Sequence, residues 1–124
     1  MDIEQIREYT LTLPGVTEDM PYGDDVLAFR IEGKIFMMLF LGSTSEEWVQ
    51  RAPRYAVKLS PERNEELREQ HPAVTPAWHC NKKHWSDVRY EQVEDTLAKE
   101  WICESYRLVV SLLPKYVREK YEDD

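Results

Sequence analysis

Residues 74–90 read VTPAWHCNKKHWSDVRY, and the organisation of the chain follows from this stretch. It holds two of the four tryptophans, two of the three histidines and one of the two cysteines. Residues 74–79 and 85–90 are rich in the residues that strands favour, and CNKKH stands between them. The pattern predicts two strands joined by a turn, with Pro76 placing the first at an edge or a bulge.

Three more strands are predicted on the N-terminal side of this stretch. Residues 26–31 and 34–41 are apolar and are separated by Glu32-Gly33, which predicts a hairpin whose glycine takes a positive φ. Residues 54–59 alternate and predict a third strand. The acidic segment VTEDMPYGDD, residues 16–25, predicts a loop, with a short edge strand as the alternative.

Helices are predicted at both ends of the chain and between the strands. Asp2 and Gln5 have capping-box spacing at the start of a first helix, and Ser60-Pro61 begins a mostly polar helix. Residues 93–112 show three- and four-residue apolar steps, and one helical turn is predicted around Trp48. We therefore predict one α+β domain over residues 1–124, a two-layer sandwich with terminal helices on one face of an antiparallel sheet of about five strands.

Charge limits the partners of this chain. The net charge is −8, which opposes a large contact with nucleic acid or with an anionic membrane. Residues 74–90 nevertheless carry three basic residues against one acid, while the rest of the chain carries 13 basic and 23 acidic residues. The N-terminus lacks the basic and apolar regions of a signal peptide, so the expected location is cytoplasmic, without a membrane partner.

No pattern in the sequence indicates catalysis, a metal or a cofactor. If strand geometry extended to Cys80, His79 and Cys80 would point to opposite faces, which a shared zinc ion does not allow. Cys80 beside His79 or His84 is the one candidate nucleophile and base, and no glycine-rich loop accompanies it. We therefore predict a protein that is not an enzyme.

A binding surface is the remaining interpretation of residues 78–89. Basic and aromatic side chains together suit phosphate groups and stacked bases. The candidate binding residues are Trp78, Asn81, Lys82, Lys83, His84, Trp85 and Arg89. The structural alternative is that Trp85 anchors a strand in the core, Asn81 closes the turn through its side chain, and the lysines are simply exposed.

The run NKKHWSDV, residues 81–88, resembles the signature of the MmcQ/YjbR family. The similarity extends in order through LPGVTED (13–19), FRIEGKIF (29–36), VKLSPE (57–62) and SYRLVVSLLPK (105–115). Ser86-Asp87 departs from the family pattern, and an acid there is expected to lower the positive potential of the stretch. The resemblance implies a CyaY-type, frataxin-like α+β fold and a DNA-binding role without catalytic residues.

Two functions are therefore expected. The first is a DNA-binding module with a small footprint; three phosphate contacts would give a slope of log K against log salt of about −2.7. The alternative is a protein-interaction or cation-binding module that uses the acidic surface of a frataxin-like fold. Its residues would be Asp2, Glu4, Glu8, Glu18 and Asp19.

Overall fold

The structure, a computed structural model, describes residues 1–41, 53–77 and 80–121. The strands are β1 (Val16–Asp19), β2 (Val26–Ile31), β3 (Lys34–Phe40), β4 (Arg54–Lys58), β5 (Val74–Pro76) and β6 (Trp85–Val88). The helices are α1 (Ile3–Leu11), α2 (Pro61–Gln70), α3 (Asp95–Ser111) and α4 (Lys115–Arg118), with a 3₁₀ turn at Tyr90–Gln92. The helical turn predicted around Trp48 lies outside the described residues.

The described strands form one antiparallel sheet in the order β1-β2-β3-β4-β6-β5. The predicted α+β architecture is thus confirmed, with six strands rather than about five. The additional strand is β1, in the acidic segment predicted as a loop with a short edge strand as the alternative; Val16 pairs with Ile31 and Asp19 pairs with Ala28. Its four residues alternate between half-buried and exposed, a pattern too short to outweigh the turn residues around it.

One face of the sheet, the helix face, carries the main core and all three long helices. Ile6 of α1, Leu67 of α2 and Trp101 of α3 pack there against strand side chains such as Phe29 and Val57. Side chains alternate along each strand, so every second residue of β2 to β6 reaches this layer. Burial of about twenty such side chains at roughly 1.5–3 kcal/mol each is the dominant favourable term.

The opposite side, the second face, is also buried. Val26, Met38, Phe40 and Ala56 form a smaller cluster, against which Ile35, Cys80 and Trp85 pack. A sheet buried on both faces explains why β3 reads as a continuous apolar run.

The helix starts agree with the sequence patterns. At α1, the Asp2 side chain accepts from the Gln5 backbone and the Gln5 side chain accepts from the Asp2 backbone, both at 2.9 Å. At α2, the Ser60 hydroxyl accepts from the Arg63 backbone at 3.2 Å. No helix among the described residues is both long and apolar enough to cross a membrane.

Candidate functional site

Residues 81–84, which we call the basic turn, lie at the end of the sheet where β6 begins. Lys58, the last residue of β4, is registered opposite Trp85, the first residue of β6. Lys34 begins β3 at the same end of the sheet, because β3 and β4 are antiparallel neighbours. The topology therefore gathers cations from two strands and one turn that are far apart in sequence.

The backbone of the basic turn is held by hydrogen bonds. The Asn81 carbonyl accepts from the His84 amide at 3.2 Å and from the Trp85 amide at 2.9 Å. The His84 carbonyl accepts from the Leu59 amide at 2.9 Å, and the Trp85 carbonyl accepts from the Ala77 amide at 3.2 Å. These bonds tie the turn to the strands on both sides of it.

Two polar side chains of α2 add hydrogen bonds to the turn from the helix face. Asn64 Nδ2 donates to the Lys83 carbonyl at 2.9 Å, and Arg68 Nη2 donates to the Lys82 carbonyl at 2.5 Å. Ser86 Oγ donates to Asn64 Oδ1 at 2.6 Å and accepts from Arg68 Nε at 3.1 Å. All five backbone carbonyls of residues 81–85 are thus hydrogen-bonded, which fixes the backbone shape of the turn.

Asn64 and Arg68 support the candidate site and were missed in the sequence, where α2 was predicted only as a mostly polar helix. They are spaced i, i+4 and flank Leu67, the buried leucine of α2. That spacing puts them on the face that packs against the sheet. In the sequence, the signal for such a network is a pair of polar residues on the same helix face as the one leucine of α2.

Asp87 points to the second face, opposite to Ser86. Its Oδ2 accepts from Arg54 Nε at 3.2 Å, and the two residues are only 4% and 2% exposed. The guanidinium carbon of Arg54 also lies 3.8 Å from the centre of the Phe40 ring. The acid that departs from the family pattern therefore lies inside the protein, paired with the guanidinium of Arg54.

The side chains of the basic turn differ in exposure. Lys82 and Lys83 are exposed and His84 is half-buried. Lys82 Nζ donates to the Ala77 carbonyl at 3.1 Å. Asn81 Oδ1 accepts from the Lys83 amide at 3.0 Å, so Asn81 closes the turn through its side chain, the structural role considered above.

Trp85 and Arg89, two further predicted binding residues, do not extend the surface of the basic turn. Trp85 is half-buried and packs against the second-face cluster, as the structural alternative predicted. Arg89 follows β6 at the opposite end of the sheet, where its amide donates to the Ala73 carbonyl at 3.0 Å. Trp78 and His79 lie outside the described residues.

The described groups give little support for nucleophilic or metal chemistry. Burial, aided by the negative charge of Asp87, raises the pKa of the Cys80 thiol to about 11. A thiol with that pKa is protonated at neutral pH and is a weak nucleophile. Within residues 1–41, 53–77 and 80–121, no three His, Cys, Asp or Glu side chains are grouped to hold a metal ion.

Several acids of the alternative surface have intramolecular partners. Asp2 caps α1, Glu18 forms an ion pair with Arg7, and Asp19 accepts from Arg30 at 2.9 Å. The two remaining acids of that set are exposed on α1. A protein-interaction or cation-binding role of this acidic surface stays a prediction.

The chain is similar to members of one protein family over almost its whole length. The YjbR family model matches residues 11–108. The chain is 30% identical over 120 residues to the uncharacterized protein YjbR of Escherichia coli K12, covering 96% of each chain. It is 33% identical over 113 residues to the uncharacterized protein YbdF of Escherichia coli O157:H7, covering 90% of this chain and 87% of the relative.

Two solved structures share the fold. The Deinococcus radiodurans protein DR2400, with a DUF419 domain, superposes with a TM-score of 0.81 at 29% identity, covering 96% of this chain and 86% of that one. A Pseudomonas syringae protein superposes with a TM-score of 0.72 at 24% identity, covering 87% of this chain and 98% of that one.

Proposed function

The chain belongs to the YjbR family, and on that premise we propose that it is a non-catalytic binding module whose basic turn contacts the phosphate groups of DNA. The observation that carries the proposal is the fixed presentation of Lys82 and Lys83. Both are exposed, on a turn whose backbone carbonyls are all hydrogen-bonded. Such a turn loses little backbone freedom on binding, which removes part of the entropic cost of association.

Charge supports a contact of limited size. The basic turn lies at a sheet end that also carries Lys34 and Lys58, in a chain whose net charge is −8. Lysine ammonium groups bind phosphate oxygens as point charges and carry no sequence information of their own. The proposed binding is therefore weak, insensitive to DNA sequence and sensitive to salt.

The proposal counts two phosphate contacts, those of Lys82 and Lys83, in place of the three expected from sequence. Arg89 lies at the other end of β6 and Trp85 packs into the second face, so neither accompanies the turn lysines. Two contacts give an expected slope of log K against log salt of about −1.8.

The test is a titration of fluorescein-labelled duplex and single-stranded 20-mers, followed by fluorescence anisotropy at low and moderate salt. We expect binding at low salt, and we expect Lys82→Ala/Lys83→Ala to weaken it about tenfold, equivalent to about 1.4 kcal/mol. The matched control is Lys99→Ala/Lys115→Ala, which removes two exposed lysines elsewhere and changes the net charge equally.

Three results would contradict the proposal. They are an absence of binding at low salt, equal weakening by the control pair, and a salt slope that the turn variant leaves unchanged. Equal weakening would show that affinity follows net charge rather than the basic turn.

A further inference from the structure

A cavity of about 310 Å³, which we call the end cavity, opens where β3 begins and β4 ends. The paired register of these two strands stops at Met37↔Val57. Beyond it the buried Ser105 hydroxyl of α3 stands between the strands, accepting from the Lys58 amide at 3.0 Å and donating to the Phe36 carbonyl at 2.5 Å. The strands therefore separate, and side chains of α3 reach the gap.

The lining of the end cavity is mostly aliphatic. It consists of Lys34, Ile35, Lys58, Val109, Leu112 and Leu113. Leu112 is 65% exposed, so apolar surface at the rim remains in contact with water. The volume is at the small end of the roughly 300–1,000 Å³ typical of binding cavities, a size that suits one inserted side chain better than an extended ligand.

The two lysines of the lining point to opposite faces of the sheet. Lys34 is registered opposite Ile31, a residue of the helix-face core, and Lys58 is registered opposite Trp85, which packs on the second face. Residues directly opposite on antiparallel strands share a face. Neither lysine forms an ion pair with a residue in the described ranges. The end cavity is thus an apolar hole with one cation towards each face.

The acidic loop, residues 20–25, lies at the opposite end of the sheet. Val26, which follows this loop, pairs with Phe40, whereas Lys34 pairs with Ile31 at the other end of the same two strands. Strand β3 has seven residues, so the loop and the end cavity lie about 20 Å apart in one molecule. The loop of one molecule therefore does not reach the end cavity of the same molecule.

The acidic loop presents side chains that suit the end cavity. Tyr22 is 66% exposed, and Asp24 and Asp25 follow it without an ion pair to any described residue. A tyrosine combines an apolar ring with an O–H donor. The C-terminal end of α3, which supplies Val109, carries the negative end of a helix dipole, so it favours a donor over a carboxylate inside the cavity.

Charge and exposed apolar surface are both divided between the two ends of the sheet. Seven basic and three acidic residues lie at the cavity end, in residues 32–34, 58–62, 81–84 and 112–121. One basic and eight acidic residues lie at the loop end, in residues 1–4, 19–25 and 89–95. The exposed large apolar side chains of the described residues are Leu112 and Tyr116 at the first end and Met20, Tyr22 and Leu41 at the second. Each end is therefore complementary to the other end and not to itself.

We propose that this protein associates with a second copy of itself from head to tail, with the acidic loop of one copy docked at the end cavity of the next. Tyr22 enters the cavity, and Asp24 and Asp25 meet Lys34 and Lys58 on its two sides. Because the two surfaces differ, the contact is heterologous and does not close as a two-fold dimer. The net charge of −8 on each copy opposes long assemblies.

The test is a dilution series of the ¹⁵N-labelled full chain, with amide chemical shifts as the readout. We expect concentration-dependent shifts in two separate groups, residues 20–25 and residues 34–35, 58 and 109–113. Both groups should follow the same dissociation constant, about 0.1–1 mM for a small and transient interface.

Two variants each disable one surface. Tyr22→Ser removes the ring from the acidic loop, and Leu112→Glu puts an acid on the rim of the end cavity; both side chains are exposed, so folding is not at stake. Each is expected to weaken self-association about tenfold or more. Gln70→Glu, at an exposed position of α2, changes the net charge as Leu112→Glu does and is expected to leave self-association unchanged.

An equimolar mixture of the two variants separates this arrangement from a symmetric dimer. Leu112→Glu keeps an intact loop and Tyr22→Ser keeps an intact cavity, so the mixture should form a heterodimer with about the dissociation constant of the unmodified chain. With only Leu112→Glu labelled, the shifts should appear at residues 20–25. With only Tyr22→Ser labelled, they should appear at residues 34–35, 58 and 109–113.

The proposal is overturned by shifts that do not depend on concentration, by shifts in only one of the two groups, or by unchanged self-association in Tyr22→Ser. A mixture that does not associate would also overturn it. An equal loss in Gln70→Glu would show that association follows net charge instead of these two surfaces. None of these results depends on whether the protein binds DNA.

Discussion

The two halves of the signature segment, residues 81–88, differ in what they contribute. In the first half, Lys82 and Lys83 are exposed and the backbone carbonyls are hydrogen-bonded. In the second half, Ser86, Asp87 and Val88 are buried within the sheet. The segment therefore consists of a turn with exposed lysines followed by a buried strand. Substitutions in the turn should affect binding, and substitutions in the strand should affect stability.

The largest effect is expected from the ion pair of the buried half. Asp87→Asn leaves Arg54 without its carboxylate in a site that is 2% exposed, and should lower the free energy of unfolding by about 3–5 kcal/mol. Urea denaturation measures the loss. Asp24→Asn, an exposed acid, is the control and should change stability by less than about 0.5 kcal/mol.

A variant that removes both charges sharpens this prediction. Arg54→Met/Asp87→Leu should be less destabilised than Asp87→Asn alone, because no uncompensated charge is then buried. If the double variant is the less stable of the two, the ion pair is not the cause of the loss.

A smaller effect is expected at Ser86, whose hydroxyl joins β6 to α2. Ser86→Ala removes a donor to Asn64 and an acceptor for Arg68, leaving buried polar atoms without this partner, at a cost of about 2 kcal/mol. The measurement is again chemical denaturation. Asn64→Ala in the same background should add less than it does alone, whereas strict additivity would show that the two residues do not act together.

Cys80, immediately before the segment, should show its burial through its titration. Its folded pKa of about 11 lies above the ordinary value of 9.0, so its thiol favours the folded state below pH 9, and this contribution is lost as the pH rises towards 11. In a Cys103→Ser variant at pH 8.5, iodoacetamide should react with the folded protein well over tenfold more slowly than with the protein in urea. Equal rates would contradict the burial of the thiol.

The smallest effect on stability is expected at the exposed half. Lys83→Ala should change the free energy of unfolding by less than about 0.5 kcal/mol, because its side chain is exposed and Lys83 is held in the turn through its backbone carbonyl and amide. Thermal and urea denaturation measure this. A loss above 1 kcal/mol would mean that the turn depends on the lysine side chain and would remove the distinction between the halves.

Local patterns predicted much of this fold. The capping box of Asp2 and Gln5, the Ser60 cap and the Glu32-Gly33 hairpin are set by neighbours in sequence, and all are present. Strand β1 was predicted only as the alternative to a loop, because its pairing with β2 depends on backbone hydrogen bonds more than on apolar side chains. Strand alternation predicts that Ser86 and Asp87 face opposite ways, yet nothing local indicates their partners.

The sequence by itself determined the elements, the fold class and the position of the basic turn, because hydrophobic period, caps and turn residues act over a few positions. The tertiary structure alone decided what lies beside that turn. It brought Asn64 and Arg68 under the carbonyls of Lys82 and Lys83, and it paired Arg54 with Asp87 across 33 residues of sequence. It also placed Ser105 between β3 and β4. Such contacts depend on how the layers stack, and side chains distant in sequence meet only after the sheet and helices have packed.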